Sequence, residues 1–129
     1  MPRSSVLLTP GPVDGDAIAR AAGEVWAAGD GLDPDADAFT LQTVDGGAAL
    51  QVLAAGVPVL TVLRPRMLPT VEEVFRLLPE ARDPLPPVSW WTEAYTPWTD
   101  EGRIGVAILD AASGARGVAV HQGFGRDIR

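Results

Sequence analysis

The sequence predicts an α+β fold, a largely antiparallel sheet of about six to seven strands with two helices packed on it. Three observations lead there. Short runs of β-branched and apolar residues follow one another across tight glycine turns, which pairs neighbours antiparallel. Two other segments carry apolar residues at helical spacing. The helices and strands are segregated rather than strictly alternating, in the order β-α-β-β-β-α-β-β-β, which suits helices on one side of an antiparallel sheet.

The first strand covers 5–9 in "SSVLLTPGP" and is stopped by Pro10 and Pro12, neither of which can donate to a ladder. In "DGDAIARAAGEVWAAGDG", Ile18, Ala22, Val25 and Trp26 share one helix face, with Asp14 or Asp16 capping its start and Gly29 or Gly31 its stop. Three strands follow over 39–44, 49–54 and 57–63, turning at Asp45 to Gly47 and near Gly56. The third, "VPVLTVL", is apolar on both faces and belongs inside the sheet.

"LPTVEEVFRLLP" predicts the second helix. Thr70 and Glu73 make a capping box, Val71, Val74, Phe75 and Leu78 form the apolar stripe, and Pro79 ends it. The proline-rich "EARDPLPP" is a stiff connector. Three further strands are expected over 88–96, 103–110 and 116–122, the last two joined at Gly114. The two halves, a helix and then three strands, suggest a duplicated αβββ unit, as an echo of topology rather than of residue identity.

A chain of 129 residues is read as one domain, 1–129, since a core of this size hides roughly two thirds of the unfolded surface. The formal charge of −7 argues against gripping a phosphate backbone, so nucleic acid is not expected as a partner. Without cysteine there is no disulfide, thiolate nucleophile or zinc–thiolate site. No segment reads as a signal peptide or a membrane span, and a cytoplasmic protein is expected.

Each candidate for chemistry has a plainer reading. Asp33, Asp35 and Asp37 alternate like calcium ligands, but Ala38 stands where such a loop needs glycine and Val44 where it needs glutamate, so no metal is assigned. "TPGPVDGD" lies where phosphate often binds, yet it has two prolines, no basic residue and two aspartates at the positive helix end. His121, the one histidine, is placed across its strand from Val118 and Val120, toward solvent or an interface. No serine or threonine sits in an acyl-transfer motif, so no catalytic residue is assigned, and no cofactor is implied. The arginines, Arg64 and Arg66 and the set Arg116, Arg126 and Arg129, are read as ion-pairing.

"PVSWWTEAYTPWTDEG" holds three of the four tryptophans and the one tyrosine. Strand period divides it: Trp90, Thr92, Ala94, Thr96 and Trp98 on one face, Ser89, Trp91, Glu93, Tyr95 and Pro97 on the other. The first set is expected to pack under a helix. The second is read as a partner or dimer interface, with a buried core and a ligand cleft as the other readings.

The expected function is thus a non-catalytic, small acidic domain that binds a protein or peptide partner as a homodimer, in an adaptor or chaperone-like role. The order of elements resembles small dimeric secretion-chaperone-like proteins, a likeness of architecture alone. The alternative is a small-ligand-binding protein or enzyme with an aromatic-lined cleft around Trp91, Glu93, Tyr95 and His121, Glu93 serving as acid or base.

Overall fold

A computed structural model describes residues 3–28, 39–67, 90–99, 102–114 and 117–121. Strand β1 (Arg3–Thr9) is followed by helix α1 (Gly15–Ala28), then β2 (Thr40–Val44), β3 (Ala49–Ala54), β4 (Val57–Leu63), the short β5 (Arg66–Met67) and β6 (Trp90–Thr96). Helix α2 (Gly102–Ser113) and β7 (Val118–His121) complete the described chain. The strands form one sheet in the order β2-β3-β4-β6-β1-β7, with β5 also pairing β6, and every pairing is antiparallel. The α+β class, the antiparallel sheet of seven strands and helix α1 are as the sequence predicts.

One element changes type. Residues 103–110, expected as a strand, lie inside α2. The run Ile104, Val106 and Ile108 imitates a period of two, but Gly102, Gly105, Ile108 and Leu109 are the buried positions and repeat at helical spacing. The three-strand meander of a second αβββ unit is accordingly interrupted, and β6 and β7 flank β1 on either side. The helix expected at Thr70 to Leu78, its capping box, the connector after it and the acidic loop of Asp33, Asp35 and Asp37 lie outside the described residues.

Both helices pack against one face of the sheet. Leu7, Val52, Leu60, Val62 and Ala94 from the strands meet Ile18, Ala21, Ala22 and Val25 of α1 and Ile108 and Leu109 of α2. Asp14 starts α1 by accepting the Ala17 amide proton on its Oδ1 at 2.9 Å. Trp26, half-buried, meets Phe39 with ring centroids 4.9 Å apart. β1 is buried on both faces, which is why "VLLT" carries no polar alternation and sits between two strands.

The turn from β3 to β4 places Ala55 (φ 51°) and Gly56 (φ 81°) in the left-handed region, as a two-residue primed turn requires. Glycine accepts this freely, whereas alanine does so against its side chain. Ala55→Asn is expected to raise stability by about 0.5–1 kcal/mol in urea denaturation. An unchanged or lower midpoint would contradict the strain.

Candidate functional site

β4 and β6 pair at only two positions, Thr61 with Tyr95 and Val62 with Ala94. Beyond Tyr95 the ladder stops, because Pro97, just past the end of β6, and Pro58 on β4 have no N–H to donate. β4 also carries an irregularity here: its register with β3 shifts between Val52 and Leu53, which leaves Val59 without a partner in that ladder. The strands therefore splay, and the space between them is a groove of about 330 Å³ lined by Pro58, Leu60, Thr61, Tyr95, Thr96 and Pro97.

Large apolar side chains flank this groove in sequence. Val57 precedes Pro58 and is 46% exposed; Trp98 follows Pro97 and is 43% exposed. The Arg3 guanidinium lies over the Trp98 ring, 4.3 Å from its centroid, and orients it. Trp98 thus differs from the expectation that it is core. Strand alternation ends at Thr96, so a face assignment carried past Pro97 no longer applies.

Trp91 also reverses its expected place. It is 5% exposed, paired across the sheet with Leu8 on one side and Arg66 on the other. β6 is an interior strand with neighbours on both edges, and at this end both of its faces are covered. Glu93 and Tyr95 share the face of Trp91 and are half-buried. Glu93 forms an exposed ion pair with Arg66 at 3.7 Å, the kind of surface contact that contributes little energy and leaves no isolated acid or base.

His121 stands apart from these three. It is paired with Ser5, which is paired in turn with Ala94, so all three project to the helix-covered face and not to that of Trp91, Glu93 and Tyr95. Its side chain is 17% exposed rather than turned to solvent. Nε2 lies 2.8 Å from Asp110 Oδ1 of α2, and Nδ1 lies 2.8 Å from Ser5 Oγ. The carboxylate can only accept, so Nε2–H donates to Asp110, and in the neutral imidazole the Ser5 hydroxyl donates to Nδ1.

That chain of donors is the Ser-His-Asp arrangement of hydrolases with the two ring nitrogens exchanged. A nucleophile must reach a carbonyl carbon, however, and Ser5 is 1% exposed in mid-strand between β6 and β7. Its evident work is to tie β7 to β1 and α2. His121→Ala leaves the buried Ser5 hydroxyl unsatisfied and is expected to cost about 1–3 kcal/mol. Ser5→Ala in the same background should recover part of that loss in urea denaturation, and strictly additive costs would contradict the coupling. Sequence spacing gave no hint of this line, since Ser5 meets His121 through the pairing of β1 with β7 and Asp110 reaches it from α2.

No helix among the described residues is long and apolar enough to cross a membrane, and no group of three or more potential metal ligands lies among them. The architecture is that of an α+β protein with its helices on one side of an antiparallel sheet. Comparison with protein-family models, with curated proteins and with solved structures finds no match.

Proposed function

We propose that this domain binds a protein or peptide partner without catalysis, in the groove between Pro58 and Tyr95, and that it works as a homodimer. The observation that carries the reading is the splayed end of β4 and β6, where Tyr95 and two prolines line a groove whose lining residues are followed and preceded in sequence by exposed Trp98 and Val57. Rigid aromatic side chains with one apolar face and one polar handle dominate the energetics of such contacts. Self-association is supported by β2, an edge strand among the described residues, whose residues Thr40 to Val44 carry no charge. Uncharged edges are templates for strand addition.

The cleft of the alternative reading needs His121 beside Trp91, Glu93 and Tyr95, and His121 projects from the opposite face. Binding at the groove is tested by selecting peptides from a displayed library on the wild-type domain. Selected peptides should lose about 30-fold or more in affinity on Tyr95→Ala and on Trp98→Ala, the loss of a hot-spot contact. Peptides that bind both variants as tightly as the wild type would end the assignment. Sedimentation equilibrium tests the dimer: Gln42→Lys should weaken it, and a monomer at all concentrations would remove self-association.

A further inference from the structure

A second cavity lies on the other side of β4's C-terminal end, away from the groove. It is an open pocket of about 270 Å³ lined by apolar side chains that include Val13, Ile18, Leu50 and Val62, with Arg64 as the one basic residue among its lining residues. Val13, Ile18 and Val62 are themselves buried, so these walls belong to the core and are set before any ligand arrives.

Arg64 is held in place. Its Nε donates to the Gly47 carbonyl oxygen at 2.9 Å, and Nη2 lies close over Gly47, 3.4 Å from where a Cβ would stand. One edge of the guanidinium is thereby used, and the remaining N–H donors meet no carboxylate among the described residues. In a chain of 17 acidic residues and 10 arginines, an anchored guanidinium at an apolar pocket that forms no ion pair among the described residues is a specific feature. Asp14, which also lines the cavity, has its Oδ1 engaged by the Ala17 amide.

We infer that this cavity binds a short aliphatic monocarboxylate, the tail against Val13, Ile18, Leu50 and Val62 and the carboxylate on the Arg64 guanidinium. The charge of the fork selects an anion, and its planar donors suit a carboxylate. The volume corresponds to roughly nine waters at about 30 Å³ each, so a tail of a few carbons fills it. Hexanoate has such a tail.

The test is titration of the full chain with hexanoate and with hexanamide, an uncharged analogue of the same shape, followed by amide chemical shifts and calorimetry. Hexanoate should bind about tenfold to hundredfold more tightly than hexanamide, as expected of a charge-assisted hydrogen bond. Shifts should centre on Gly15, Ala48, Leu50 and Val62. Arg64→Gln, at an exposed position that should leave the melting temperature nearly unchanged, should bring the two ligands to equal affinity. Equal binding of both ligands to the wild type, no binding of hexanoate, or shifts centred on Tyr95 and Thr96 would each overturn the inference.

Discussion

Replacing Gly105 with alanine is expected to destabilise the domain by about 3 kcal/mol, against the preference of the helix in which it sits. In an isolated helix this change would gain about 1 kcal/mol, because alanine gives up less backbone entropy. Here a Cβ at Gly105 would overlap the Val59 carbonyl oxygen and stand 2.7 Å from Thr96 Cγ2. Neither neighbour can yield easily. Val59 belongs to the irregular stretch of β4, and Thr96 is fully buried. α2 would have to lift off the sheet and loosen the contacts of Ile108 and Leu109, a case of overpacking. Urea denaturation reads the effect directly; a midpoint equal to or above that of the wild type would show that α2 does not approach the sheet so closely.

Trp91→Ala should cost about 3–5 kcal/mol in guanidinium denaturation, the range for removing a buried aromatic side chain, whereas Trp98→Ala should stay within about 1 kcal/mol of the wild type. The contrast follows from 5% against 43% exposure. Trp91 Nε1 has no acceptor among the described residues, an arrangement that itself carries a penalty. Trp91→Phe should therefore lose far less than Trp91→Ala, because it keeps the ring packing and removes the orphaned donor. Equal losses in Trp91→Ala and Trp98→Ala would contradict the division of the aromatics.

The first half of the domain was legible because local signals agreed with tertiary placement. Asp14 caps α1, the strands over 39–63 turn where Asp-Gly-Gly and Gly56 stand, and the doubly apolar β4 lies inside the sheet. α2 was not legible, since its buried stripe begins with Gly102 and Gly105, residues that weaken a helix in isolation and are needed only because Pro97 and Val59 lie against them. The aromatic strand was half legible. Period two correctly separated Trp91, Glu93 and Tyr95 from Trp90, Thr92 and Ala94, yet which face is covered depends on partner strands, and alternation says nothing beyond a proline.

The candidate site shows the same division. Tyr95, a contact residue by its place in the aromatic strand, does line the groove, and Pro97 adjoins it in sequence, but Pro58 and Thr61 join it only through the antiparallel pairing of strands more than thirty residues apart. Trp98, which strand alternation assigns to the core, is exposed and follows the groove residue Pro97 in sequence.

Mapping a selected peptide onto the domain by amide chemical shifts tests the central claim most directly. The account predicts perturbations confined to Val57 through Thr61 and Tyr95 through Trp98, with Trp91 and the Ser5–His121 pair undisturbed. Perturbations centred instead on the outer edge of β2, or on the cavity beside Arg64, would contradict the groove as the binding surface.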